Sequence, residues 1–177
     1  PQALYDCHKS KQIYLHESQF MYHIVSIENN PFSYYNKINE EKEHFNTTDD
    51  ICTPMALVKD MVDKIPKELW KRKELKILDC CCGNGNFPAY IGTKVPLESL
   101  YFNEINEKRI SNRHKFFGEN INLTKMDFLQ FEEKEEYDLV VANPPYAKFT
   151  DDGKRAAKNH NMSRDFIRKA LSITKPN

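Results

Sequence analysis

A chain of 177 residues is long enough for one domain with a buried core and too short to expect two. With 29% charged and 12% aromatic residues it reads as a globular fold, and no apolar run approaches the length of a bilayer span. The net charge of zero does not advertise a polyanion partner. Residues 1–50, however, hold four lysines against eight acids, whereas 51–177 hold 22 basic residues against 18 acids; that second part, at about +4, leaves room for one.

Residues 1–45 contain no glycine and many aromatics, among them Tyr5, Phe20, Tyr34 and Phe45, and read as a helical extension. From 46 onward the pattern is that of a second unit running to 177. Thr53-Pro54 has the form of a helix N-cap followed by proline in the first turn. Val58, Met61, Val62 and Ile65 recur at helical spacing until Pro66 ends the run. Leu75–Asp79 reads as a strand, Cys80–Asn86 as a tight glycine-bearing loop, and Phe87–Gly92 as a helix. A strand at Leu100–Asn103, a helix at Ile105–Phe117 and short strands at Ile121–Leu123 and Leu139–Ala142 follow. The last predicted helix, Arg164–Thr174, presents Ile167, Ala170, Leu171 and Thr174 along one face. Strands alternating with helices imply βαβ units and a parallel sheet, an α/β fold whose ligands sit beyond the carboxyl ends of the strands.

Those carboxyl ends carry the unusual residues. The first loop, Asp79-Cys80-Cys81-Cys82-Gly83-Asn84-Gly85-Asn86-Phe87, has the G-x-G turn of a dinucleotide site but places Pro88 where a third small residue belongs. Proline offers no N–H to a pyrophosphate at the helix start, so the loop suits a nucleoside without phosphates. Gly83 and Gly85 let the backbone approach that ligand, and Asp79 suits a cationic amine. Glu104, 19 residues beyond Gly85, stands where a carboxylate accepts from both hydroxyls of an unphosphorylated ribose. Asp127 is placed to accept from an adenine amino group, with Phe128 offering an apolar face. Asn143-Pro144-Pro145-Tyr146 closes the fourth strand: the two prolines make a rigid turn, and an amide beside a fixed carbonyl forms a pair of acceptors for an NH2 group. The five cysteines form neither a disulfide framework nor a zinc spacing and read as thiols in a reducing compartment, with no metal implied.

The Thr53-Pro54 helix with Leu57-Val58, the glycine loop, Glu104 and the N-P-P-Y turn together resemble the amino-methylating methyltransferases, most closely the DNA adenine-N6 methyltransferases. The resemblance spans roughly 45–177 and implies a Rossmann-like class I methyltransferase fold with S-adenosylmethionine as cofactor. By that resemblance the cofactor lies across Thr53, Asp79, Cys81, Gly83, Gly85, Asn86, Phe87, Glu104, Ile105, Asp127, Phe128 and Asn143. Asn143 and the Pro144 carbonyl would hold the target amino group, while Tyr146 stacks on an adenine flipped out of DNA.

It also implies further strands, and a C-terminal target-recognition domain or a partner chain, after Asn177. The expected location is cytoplasmic, in a prokaryotic or viral host compartment with the nucleus left open, and no membrane is involved. Cys80 and Cys81 replace the Pro-Ala or similar pair commoner in that family. Lys148, Lys154, Arg155, Lys158 and Arg164 are expected to line the DNA strand. The N-P-P-Y turn also occurs in RNA adenine-N6 and glutamine-N5 methyltransferases, and an inactive cofactor-binding subunit is a further alternative.

Overall fold

The computed structural model describes residues 52–132, 137–145 and 162–176. The helical extension expected at 1–45 therefore lies outside the described residues, as do Tyr146 and the basic positions from Lys148 to Lys158. Among the described residues four strands, β1 (Ile77–Asp79), β2 (Leu100–Asn103), β3 (Asn122–Thr124) and β4 (Leu139–Val141), form one sheet in the order β3-β2-β1-β4. Every pairing is parallel. The chain builds outward from β1 to β3 and then returns to place β4 on the other side of β1. The strand order reverses between β1 and β4, the position where open α/β sheets hold their ligands.

The described helices are α1 (Met55–Asp63), α2 (Asn86–Ile91), α3 (Glu107–Phe117) and α4 (Met162–Ile173). Alternation along the strands divides the core in two. Ile77, Phe102, Leu139 and Val141 join Met55, Val58, Val62 and Phe117 on one face. Leu78 and Val140 join Phe128, Phe131, Tyr137, Phe166 and Ile173 on the other. All three β1 residues are buried, as a central strand covered on both faces requires. Phe102 sits at the centre of the first core, its ring centroid 5.0 Å from that of Phe117. Each such fully buried side chain contributes roughly 1.5–3 kcal/mol.

Two helices differ from their sequence reading. At α1, Pro54 rather than Thr53 is the N-cap, in extended backbone (φ −57°, ψ 141°), and no side chain caps the helix. The Pro54 carbonyl accepts from the Leu57 and Val58 amides at 3.0 Å each. The apolar face runs through Met55, Val58 and Val62, leaving Met61 45% exposed. At α4 the buried face is Phe166 and Ile173, while Ile167 and Leu171 are exposed. Phe166 is the bulkier anchor, its ring 5.5 Å from that of Phe128, and it turns the helix so that Ile167 and Leu171 point away. Among the described residues no helix is long and apolar enough to cross a membrane.

After α4 the chain comes back beside β4. The Tyr137 amide donates to the Ile173 carbonyl at 2.8 Å, and the Lys175 amide to the Tyr137 carbonyl at 2.9 Å, a parallel bridge between Tyr137 and Thr174. Asp138 fastens this corner. Its Oδ2 accepts from the Lys76 amide and from Lys175 Nζ, both at 3.0 Å, with Arg72 Nη1 at 4.0 Å from Oδ1. Burial alone would raise the Asp138 carboxyl; the Lys76 amide, Lys175 and Arg72 outweigh it and hold it below its ordinary value of 3.8. A depressed carboxyl stabilises the fold above the unfolded-state value, and that contribution is lost as pH falls through the folded-state value. Asp138→Asn is accordingly expected to cost about 1–2 kcal/mol near neutral pH. In urea titrations repeated from pH 7 to pH 3, it should also reduce the acid-side fall in stability. Identical acid slopes for variant and parent would remove Asp138 from this role.

Candidate active site

The cleft is made by the register of β1 and β4. Asp79 pairs with Val141, and the Cys80 amide continues the ladder to the Val141 carbonyl at 3.2 Å, so the loops after both strands leave the sheet side by side. The loop after β1 then turns sharply. Gly83 and Gly85 have φ of +54° and +87°, a region that L side chains rarely adopt, and the Gly85 amide donates to the Cys82 carbonyl at 2.7 Å. Between these loops and the start of α1 lies a cleft of about 40 Å³ that opens to solvent.

Seven of the expected site residues line that cleft: Thr53, Asp79, Cys81, Gly83, Asn86, Phe87 and Asn143. Thr53 is brought there by Asn86, whose Nδ2 donates to the Thr53 carbonyl at 2.8 Å. This bond commits the Asn86 nitrogen and leaves its buried Oδ1 without a hydrogen-bond partner. Asp79, 3% exposed, keeps its carboxylate at the mouth of β1, with the Cys81 amide 3.4 Å from Oδ1. The Asp79 carboxylate and the Asn86 amide oxygen are thus two buried acceptors among the residues that line the cleft.

Glu104, Gly85, Ile105, Asp127, Phe128 and Pro144 are not among the cleft-lining residues. Glu104 is buried at the end of β2 and ties three backbone amides. Its Oε2 accepts from Gly83 at 2.8 Å, and its Oε1 from Ile105 at 3.0 Å and Asn106 at 2.9 Å. One carboxylate thereby locks the glycine loop to the start of α3. Ile105 beside it is 62% exposed. Asp127 accepts from the Leu129 amide at 3.0 Å, capping the turn at Phe128–Gln130. Phe128, expected to offer a face to a ligand, is instead 2% exposed and packs on Phe131 and Phe166, because the second core needs a large ring under α4.

Sequence reasoning passed over four lining residues: Cys52, Cys82, Asn84 and Arg109. Asn84 Nδ2 lies 3.5 Å from Cys52 Sγ. It also passed over Asn103, a buried brace whose Nδ2 donates to the Cys80 carbonyl at 3.0 Å and the Met126 carbonyl at 3.2 Å. Cys52, Cys80, Cys81 and Cys82 are thiols. The hydrogen bond between Cys81 and Cys80, together with burial and the nearby Asp79 charge, pushes the Cys81 thiol well above its ordinary value. It stays protonated at neutral pH and is no nucleophile.

Comparison with known proteins follows the same lines. A methyltransferase small domain family model matches residues 58–177. The release factor glutamine methyltransferase of Flavobacterium psychrophilum is 28% identical over 111 residues, 59% of this chain and 39% of that protein. The type II methyltransferase M.AccI of Acinetobacter calcoaceticus is 29% identical over 120 residues, 66% of this chain and 22% of that protein. The chain thus spans less than half the length of these curated relatives. Among solved structures, a candidate class I S-adenosylmethionine-dependent methyltransferase of Listeria monocytogenes superposes with a TM-score of 0.59 at 19% identity, covering 76% of this chain and 46% of that one. Its likeness establishes the Rossmann-like α/β fold.

Glu104→Ala would strand three amides that now share one carboxylate, two of them at the helix start. It is expected to lower stability by about 2–4 kcal/mol, and Glu104→Gln by less, since an amide oxygen still accepts. Thermal melts of the two variants and the parent check this; a parent-like melt for Glu104→Ala would show that the loop does not lean on Glu104.

Proposed function

The chain belongs to the methyltransferase small domain family, and from that premise we propose that it transfers a methyl group to the N6 amino group of adenine in DNA. Its cofactor is S-adenosylmethionine, which when bound supplies an electrophilic methyl on a sulfonium. The observation that carries the proposal is the meeting of Asp79 and Asn143 in one cleft, a carboxylate for the cofactor and an amide for the acceptor, at the ends of adjacent strands.

The residues present fit that cofactor. Asp79 and the unmatched Oδ1 of Asn86 are acceptors for an ammonium group. Gly83 and Gly85 keep side chains out of the loop where a nucleoside must approach closely. Glu104, tied to the glycine loop through the Gly83 amide, would take the ribose hydroxyls. The exposed Ile105 gives the adenine an apolar flank, and Asp127 beyond it is the acceptor proposed for the adenine amino group.

On the acceptor side, the Asn143 side-chain oxygen and the Pro144 carbonyl would each accept one hydrogen of the adenine amino group. Its nitrogen lone pair is delocalised into the ring, and two fixed acceptors favour localising it. The same dipoles stabilise the positive charge that develops on nitrogen. Tyr146 follows at once in the chain and would stack on the extruded base. A second reading, methylation of a glutamine amide, is supported by the match to the Flavobacterium psychrophilum protein, since a planar NH2 group is the acceptor in both cases.

The division of labour is testable by steady-state kinetics and binding on adenine-containing DNA. Asn143→Ala should lower turnover by about 100-fold or more, with DNA affinity changed by less than about threefold. Tyr146→Phe should remain active, whereas Tyr146→Ala should lose about 1–3 kcal/mol of affinity for the extruded base. Normal turnover in Asn143→Ala would remove the acceptor pair as the source of activation.

A further inference from the structure

A buried cation shares the cleft with Asp79. Arg109 is the third residue of α3, and it is only 6% exposed although arginine is seldom buried. Among the described residues it is the only lysine or arginine that lines the cleft, and Asp79 is the only acid. The guanidinium reaches the glycine loop: Nη1 is 3.8 Å from where a Cβ on Gly83 would lie, with Cys52 Sγ at 3.9 Å from the same point. The guanidinium thus lies beside the glycine loop, at ordinary contact distance from that point.

One buried positive and one buried negative side chain lining a single cleft do not suit a simple anion or a simple cation, because either would meet a like charge there. They suit a zwitterion. An α-amino acid group carries an ammonium and a carboxylate on one carbon, and the methionine end of S-adenosylmethionine is such a group. Building on the cofactor reading above, we propose that Arg109 is a cofactor-binding residue that recognises the α-carboxylate, while Asp79 and Asn86 Oδ1 take the α-ammonium. A guanidinium has five N–H donors in a planar fork, so it can serve a protein neighbour and a carboxylate together. Its position on the first turn of α3, fixed by Asn106 Oδ1 accepting from the Lys108 amide at 3.0 Å, makes the donor rigid.

The test is calorimetric and independent of turnover. The intact protein and its Arg109→Gln variant are titrated with S-adenosylmethionine and with its decarboxylated form, which keeps the amine and nucleoside but lacks the carboxylate. The parent should prefer the carboxylated ligand by about tenfold or more, and Arg109→Gln should abolish that preference by losing affinity for S-adenosylmethionine alone. Equal losses for both ligands would make Arg109 a merely structural residue and overturn the proposal, as would an unchanged preference. Should Arg109→Gln fail to fold, Arg109→Lys reads the same ratio: it keeps the charge but not the fork, and a reduced preference supports the assignment while a full one overturns it. Failure of the parent to bind either ligand would defeat the cofactor reading itself, an outcome distinct from the loss of preference alone.

Discussion

The site depends on the pairing of β1 with β4. Because β1 is hydrogen-bonded on both edges, its last residue, Asp79, is held between the ends of β2 and β4. The loop that follows it has to share space with Asn143 on one side and Glu104 on the other. A one-residue slip of β4 would turn Val140 and Val141 to the opposite faces and exchange their cores. The two-sided apolar pattern therefore fixes the placement of the polar residues in the cleft, although none of those residues contributes to it.

Around this frame the polar groups are arranged as braces. Glu104 draws together the glycine loop and α3, Asn103 draws together the loops after β1 and β3, and Asn86 draws α1 to the glycine loop. Each brace is a buried side chain using backbone partners, which makes it rigid and costly to remove. Their positions follow the strand ends, so the cleft is held in shape before any ligand arrives. Asp138 plays the corresponding part at the opposite end of β4, where Lys76 and Lys175 meet.

Much of this was legible in the sequence. Strands β1, β2 and β4 could be placed to within two residues because apolar runs ended at Asp79, Asn103 and Asn143. The G-x-G turn and the proline pair marked the two loops that the sheet brings together. The helix faces were less legible: periodicity grouped Ile167 with Leu171, but Phe166, which has the larger ring, decided which way α4 turned. Phe128 was misleading for a related reason, since a ring beside an acid reads equally as a ligand platform or as core. Arg109 left a signal that was not used. It lies seven and eight residues before Phe116 and Phe117, so helical spacing puts a cation on the buried face of α3.

Asp79 and Asn143 line one cleft at the ends of adjacent strands, the first proposed for the cofactor and the second for an NH2 acceptor. The most direct measurement incubates the intact protein with S-adenosylmethionine carrying a labelled methyl group and an equal mixture of DNA, RNA and a glutamine-bearing peptide. Complete hydrolysis and mass spectrometry then identify the labelled product. The account predicts label in N6-methyladenine from the DNA. Label in N5-methylglutamine or in the RNA, with none in the DNA, would contradict it.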